Sequence, residues 1–251
     1  MIYLETTPDA HSDYRREKRE RIAAFGEDNE FQTLSKAWRT KGLEKKYMNN
    51  FSWMGRPMIQ LPTDMFGMQE IIWAVKPDLI IETGLAHGGS LVFYASMLEL
   101  LGHGKVVGVD IEIRPHNRSA IEAHPMAKRI SLVEGSSIDD ETVAKVRDAA
   151  RGMSRVMVCL DSNHTHDHVF AELEAYADLV TVGSYCVVFD TFVEDMPDDY
   201  VWVGRSWGKG NNPKTAVREW IVDHSEFEID ESIEDRLLIT SAPDGFLRRV
   251  R

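Results

Sequence analysis

Hydrophobic and polar positions along this chain change their period twice. Residues 11 to 46 open with His11-Ser12-Asp13-Tyr14-Arg15-Arg16 and are densely charged. Phe25, Phe31, Leu34, Trp38 and Leu43 recur there at roughly helical spacing. This predicts one or two amphipathic helices, the first capped by Ser12 or Asp13, lying as a lid on the main domain. From Asp64 to Val75, the set Met65, Met68, Ile71, Ile72 and Val75 is again helical, with Pro62 and then Thr63 or Asp64 at its start. Beyond it, short apolar runs bounded by Gly, Asp or Pro alternate with longer helical stretches. The runs Leu79 to Ile81, Val106 to Ile111, Ile130 to Val133, Val156 to Leu160 and Cys186 to Phe189 read as strands. Leu91 to Leu101, Arg118 to Ala123, Glu141 to Ala150 and Val169 to Leu179 read as the helices between them. Five strands separated by four helices predict right-handed βαβ units and a parallel sheet covered on both faces. The tail predicts a helix from Thr215 to His224, then closing strands at Phe227 to Ile229, Leu237 to Thr240 and Phe246 to Val250, partly antiparallel. The expected division is a helical cap over residues 1–54 and an α/β domain over 55–251.

Composition agrees with one sizeable core. The chain has 251 residues, 43% of them hydrophobic, and at this length a fold hides roughly three quarters of the unfolded surface. Its 41 acidic and 29 basic side chains give a formal charge of −12. An acidic chain repels the phosphate backbone, so nucleic acid is set aside as a partner. The start, Met1-Ile2-Tyr3-Leu4-Glu5, has no basic region followed by an apolar stretch and cleavage site, and no run of about 18 apolar residues occurs. A cytoplasmic protein without a membrane span is the expectation. Cys159 and Cys186 both fall in predicted strands, which favours reduced core thiols over a disulfide. The charged N-terminal helices offer a face for pairing with a second copy.

In open α/β sheets ligands sit outside the carboxyl ends of the strands, so the residues that end each strand are the ones to inspect. The first strand runs into Glu82-Thr83-Gly84-Leu85-Ala86-His87-Gly88-Gly89-Ser90. Gly84, Gly88 and Gly89 allow a sharp turn and close approach to a ligand ahead of a helix with free N–H groups. The spacing is not the G-x-G-x-x-G of dinucleotide sites, and the Gly-Lys-Ser/Thr of a P-loop is missing. The second strand ends at Asp110, placed to accept hydrogen bonds from a ribose, and the third ends in the polar turn Glu134-Gly135-Ser136-Ser137, suited to an adenine edge. Each acid alone serves equally well as a helix cap; it is their combination with the glycine turn that points to a ligand.

These residues resemble the class I methyltransferases that use S-adenosylmethionine (SAM), specifically the family named for cephalosporin hydroxylase and rhamnosyl O-methyltransferase. The resemblance runs from about Gly55 to the C-terminus. It is most specific from Pro62-Thr63-Asp64 through Glu82-Thr83-Gly84 to Gly88-Gly89-Ser90, and again in Leu160-Asp161-Ser162-Asn163-His164 with His168-Val169. It implies a Rossmann-like seven-stranded sheet with one antiparallel strand. It also implies that Glu82, Gly84 and Ser90, with Gly88 in the same turn, flank the methionine part of the cofactor, Asp110 its ribose, and Ser136 or Ser137 its adenine.

Two further acids end strands, Asp161 the fourth and Asp190 the fifth. Carboxylates converging on a cleft repel one another unless a cation or proton lies between them, and hard oxygen ligands suit Mg²⁺. The family closes its fifth strand with Glu-Asp-Thr where this chain has Phe189-Asp190-Thr191. One carboxylate is therefore missing, and Thr191, Asn163 or water is expected to complete the set. In catechol-type relatives a general base lies three residues after the first metal aspartate; here that position is His164, with His166 and His168 on alternate positions beyond it. The alternative for all three histidines is capping of the next helix. Glu194 and Asp195 read as solvated loop charges, Tyr200, Trp202 and Trp207 as an acceptor wall or lid packing, and Gly204 to Pro213 as a mobile loop.

The expected activity is SAM-dependent, Mg²⁺-assisted O-methyl transfer to a hydroxyl of a sugar or secondary metabolite, a small molecule or glycan. Two alternatives stay open. One is a hydroxylase or oxidoreductase, as in the family name, with iron on His164, His166 and Asp161. The other is a non-catalytic cofactor-binding subunit, with Phe189 marking lost catalysis.

Overall fold

The computed structural model describes residues 10–251. Met1 to Glu5, where a targeting signal would begin, lie outside the described residues. Helices α1 (Ala10–Glu27) and α2 (Asn29–Glu44) come first. Asp28 caps α2, its side chain accepting from Phe31 N at 3.0 Å, whereas Ser12 and Asp13 lie inside α1 and not ahead of it. The apolar stripe expected to anchor α2 is only half covered: Leu34 is 60% exposed. The buried positions of α2 are Ser35 and Arg39. A buried arginine is tolerable because its charge is paired, here with Asp195 at 3.0 Å.

A hairpin not foreseen in the sequence comes next, strands β1 (Phe51–Trp53) and β2 (Arg56–Met58). Met54 and Gly55 in its turn both have positive φ, 45° and 84°, which suits a two-residue hairpin turn. The expected boundary after residue 54 falls inside that turn. Trp53 Nε1 donates to Ser96 Oγ at 2.9 Å, tying the hairpin to the sheet domain.

Helix α3 (Pro62–Val75) precedes the main alternation. This runs β3 (Leu79–Thr83), α4 (Gly89–Leu101), β4 (Lys105–Asp110), α5 (Pro115–Glu122), β5 (Ile130–Glu134) and α6 (Asp140–Ala150). It continues through β6 (Val156–Leu160), α7 (His166–Tyr176), β7 (Tyr185–Val188), α8 (Pro213–Trp220), β8 (Phe227–Ile229), α9 (Glu231–Leu237) and β9 (Phe246–Arg249). The seven strands β3 to β9 form one sheet in the order β5-β4-β3-β6-β7-β9-β8. β9 alone runs opposite to the other six strands. One expected strand, Leu237 to Thr240, is instead the end of α9 and an irregular strip. Ile233 and Leu237 stand four apart on one helical face, and Leu238 ends the helix at φ 60°.

Alternation along the strands divides the core. Ile80, Val106, Met157, Cys159 and Val187 face α3 and α4, while Leu79, Ile81, Val107, Val158, Cys186 and Val188 face α7 and α8. The two cysteines thus lie on opposite faces of adjacent strands, buried and free, because successive side chains of a strand point oppositely. No helix among the described residues is long and apolar enough to cross a membrane. After β5 the chain returns to lay β6 on the other side of β3, and at that reversal the strand ends open into a cleft.

Candidate functional site

The cleft holds about 770 Å³ and is lined by Gly84, Ser90, Asp110, Asp161, His164 and Asp190 from the strand ends. Leu43, Glu44, Lys46, Met48 and Asn49 from the N-terminal segment line it too, as do Tyr200, Trp202 and Trp207. A smaller cavity of about 180 Å³ adjoins it beside Ser136, Ser137 and His168, sharing Gly84, Asp110 and Ser162 with the cleft.

The turn after β3 is fixed by its neighbours. Gly84 has φ 83°, and a Cβ there would lie 2.1 Å from the carbonyl oxygen of Asp161, so only glycine fits where the ends of β3 and β6 meet. Leu85 N donates to Asp110 Oδ2 at 2.8 Å. Asn117 Nδ2 donates to Ala86 O at 2.8 Å, and Arg56 Nε to His87 O at 3.0 Å. Behind the turn lies Glu82, wholly buried. Its Oε2 accepts from Ser90 Oγ at 2.8 Å; its Oε1 has no partner among the described residues. Burial pushes this carboxyl up to about 8, against the Ser90 hydrogen bond, and the Asp110 charge adds to the rise. The buried Tyr94 hydroxyl lies beside Glu82 and Gln60, and neither it nor the amide atoms of Gln60 complete a well-formed hydrogen bond among the described residues. Of these groups Gln60 lines the cleft, and a buried polar group left unmet there is suited to a polar ligand. Sequence reasoning missed Gln60; its place just ahead of the Leu61-Pro62-Thr63-Asp64 stretch was the available signal.

Asp110 does two jobs, since its Oδ1 also accepts from Glu112 N at 3.1 Å; it remains partly exposed to the cleft. Glu134, one strand further, pairs outward with Arg118 at 2.7 Å. Ser136 and Ser137 line the side cavity.

Leu160 pairs with Val188 across β6 and β7, so the residues just beyond them face one cleft. Asp161, His164 and Asp190 bring one ligand atom each within 4.8 Å of one another. His164 Nε2 is 3.3 Å from Asp190 Oδ2. Burial, and then the charge of Asp190, hold the Asp161 carboxyl well above the usual range; burial likewise raises Asp190, opposed by His164. Such a cluster fits a divalent cation, which offsets the repulsion. Asp190 sits at φ 56°, a left-handed position aspartate tolerates better than most residues.

The other expected ligands are placed differently. Thr191 is fully buried and its hydroxyl donates to Pro243 O at 2.6 Å, so it is not a member of the donor cluster. Asn163 Oδ1 accepts from Thr165 N at 3.0 Å, an Asx turn ahead of α7. His166 Nδ1 lies 2.9 Å from Thr215 Oγ1 and its Nε2 3.3 Å from Glu219, so His164, His166 and Asp161 do not assemble as an iron site. Phe189, where the resemblance implied a glutamate, is packed in the core at 1% exposure. Glu194 and Asp195 are structural: Glu194 accepts from Gly210 N at 2.7 Å, and Asp195 pairs with Arg39 and with Lys214 at 2.8 Å. That glutamate, a Gly208–Asn211 bridge and the Asn212 capping box hold the loop read as mobile.

A family model described as Rhamnosyl O-methyltransferase/CmcI matches residues 45–250. The chain is 31% identical over 218 residues to a rhamnosyl O-methyltransferase of Mycobacterium bovis, covering 82% of each chain. It is 29% identical over 215 residues to that of Mycobacterium leprae, covering 82% of this chain and 88% of the relative. Among solved structures it is similar to CmcI in its Mg–SAM form, with a TM-score of 0.56, 20% identity and coverage of 81% and 78%. It is similar also to the MycE methyltransferase of the mycinamycin biosynthetic pathway in complex with Mg and SAH, with a TM-score of 0.51, 16% identity and coverage of 85% and 53%.

Proposed function

The chain belongs to the rhamnosyl O-methyltransferase/CmcI family, and we propose that it transfers a methyl group from SAM to a hydroxyl of a sugar or secondary metabolite, assisted by a divalent cation of the Mg²⁺ type. The observation that carries this is Glu82, a wholly buried carboxyl with one oxygen unpartnered among the described residues, lying behind the glycine turn that lines the cleft. A cation brought beside it, such as the ammonium of the cofactor's methionine part, would offset the cost of charging this buried carboxyl. The names of the relatives, and the Mg with SAM or SAH in the CmcI and MycE structures, support the same reading.

The roles follow from position. Glu82, held by Ser90, takes the ammonium; Gly84 and Gly88 let the backbone approach; Asp110 receives the ribose hydroxyls; Ser136 and Ser137 border the adenine. Asp161 and Asp190 hold the cation. When bound, SAM supplies an electrophilic methyl on a sulfonium, and the cation polarises the acceptor oxygen. His164 takes the acceptor's hydroxyl proton as the oxygen–methyl bond forms and the methyl–sulfur bond breaks. Tyr200, Trp202 and Trp207 wall the acceptor end, and Leu43 to Asn49 border it from the N-terminal side, excluding water and fixing the line of oxygen, methyl and sulfur.

A second reading of His164 rests on the same geometry. With phenylalanine at position 189, its Nε2 is the third donor atom of the cluster and completes the cation site as a ligand. Incubation with SAM and a panel of glycosides and phenolic metabolites tests the main reading: equal amounts of S-adenosylhomocysteine and methylated acceptor are expected. Complete absence of turnover across such a panel, with cofactor bound, favours a non-catalytic binding subunit.

A further inference from the structure

The outer half of the cleft carries positive charge that none of these roles uses. Lys46 and Arg205 both line it, and neither forms an ion pair among the described residues. The acids that share the cleft with them are engaged elsewhere. Glu44 pairs with Lys41 at 2.7 Å, Asp110 accepts from two backbone N–H groups, and Asp161 and Asp190 belong to the donor cluster. Both basic residues stand on one apolar wall. Lys46 N donates to Leu43 O at 2.9 Å and Arg205 N to Trp202 O at 3.2 Å, and Leu43 and Trp202 pack on the same core of Phe192, Val193 and Met196.

Arg205 is held where it stands. Its guanidinium carbon lies 4.8 Å from the centroid of the Trp207 ring, over the ring's face. Trp207 in turn meets the His164 ring at right angles, with centroids 4.8 Å apart. A guanidinium stacked on an aromatic face keeps its N–H edge open, and that planar fork matches two oxygens of an anion. Stacking also fixes the fork before a ligand arrives, so less side-chain freedom is lost on binding. One aromatic ring therefore separates the imidazole of the donor cluster from an unpaired anion-binding edge, a span close to that of a single sugar ring.

We infer that the acceptor is a sugar carrying a phosphate, either a sugar 1-phosphate or a nucleotide-linked sugar, with its reacting hydroxyl at His164 and its phosphate on Arg205 and Lys46. Phosphate suits the pair better than carboxylate does. A phosphate ester carries up to about two negative charges at neutral pH and three acceptor oxygens, which occupy a fork and a second, point-like cation together. A carboxylate has one charge and is filled by the fork alone. Arg205 and Lys46 select the acceptor by its charge and take no part in the transfer itself. The inference rests on the methyl-transfer reading and names the acceptor class within it.

The test is calorimetric titration of glucose 1-phosphate, UDP-glucose, glucuronate and methyl glucoside into the wild type, Arg205→Gln and Lys46→Gln, each saturated with S-adenosylhomocysteine and Mg²⁺. The wild type is expected to bind both phosphate compounds at least about tenfold more tightly than methyl glucoside, as charge-assisted hydrogen bonds require, with glucuronate between them. Arg205→Gln should bring the phosphate preference close to one and Lys46→Gln should lower it, while both variants bind S-adenosylhomocysteine as the wild type does. A preference unchanged in Arg205→Gln assigns the phosphate to the Mg²⁺ and overturns the inference. A wild-type ratio near one, no binding of either phosphate compound, or glucuronate bound as tightly as glucose 1-phosphate overturns it too. Loss of S-adenosylhomocysteine affinity in Arg205→Gln gives the arginine to the cofactor's carboxylate, with the same consequence. In each of these cases the methyl-transfer reading stands; failure of the wild type to bind S-adenosylhomocysteine overturns both.

Discussion

His164 Nε2 and Asp190 Oδ2 lie 3.3 Å apart across the gap between the ends of two neighbouring strands. The pair puts the imidazole of the site at the carboxylate that β7 delivers. Removing the ring in His164→Ala is expected to lower kcat by about 10²- to 10⁴-fold. The loss should be largest at low pH and shrink as solvent hydroxide takes over, so a pH–rate profile parallel to wild type contradicts the base role. Electron spin-echo spectra of bound Mn²⁺ with ¹⁵N-labelled histidine separate the two readings: nitrogen coupling lost in the variant marks a ligand, and its absence from the wild type marks a base.

Asp161→Ala should remove cation-dependent activity and weaken Mn²⁺ binding by at least about tenfold, because it deletes one of two carboxylates. Cation titration followed by Mn²⁺ resonance checks this. Unchanged binding, together with activity indifferent to chelator, contradicts the assignment.

Glu82 gives a pH dependence of defined sign. Its carboxyl rises from 4.5 to about 8 in the fold, so the neutral form is the one favoured by folding. Stability is intact below about 4.5 and is lost as pH climbs towards about 8. At pH 7 the loss is about 3 kcal/mol, and Asp64, pushed up to about 6 by burial, adds a loss of similar size in the same direction. Glu82→Gln stays neutral and still accepts from Ser90, so its advantage over wild type should grow between pH 5 and pH 8. Denaturant midpoints that move in parallel for the two proteins contradict this.

Gly84→Ala is expected to destabilise the fold by about 3 kcal/mol or more, since the added carbon meets the Asp161 carbonyl at 2.1 Å in a left-handed conformation. Thermal unfolding reads the loss. A melting temperature within a degree of wild type would show that the turn yields.

Legibility from sequence depended on period and packing. The five parallel strands are continuous apolar runs between glycine and acid, and both faces of the sheet are covered, so their positions were plain. Leu237 to Thr240 misled because four apolar and β-branched residues read alike in a strand and at a helix end; Thr63 and Asp64, from far away, settle it by bonding Ile239 and Ser241. The acids of the site were visible because each ends a strand. Thr191 was misplaced because the chain turns left-handed at Asp190, sending the next side chain into the core. Glu172 and the Arg39–Asp195 pair were hidden, since nothing local distinguishes a buried polar side chain from a solvated one.

The most direct test of the account is titration of S-adenosylhomocysteine into the purified protein beside Glu82→Gln. Saturable binding at one site, on the order of micromolar, and at least about tenfold weaker in the variant, is the expected result. Heats no larger than dilution for the wild type, or equal affinity in the two proteins, would contradict it.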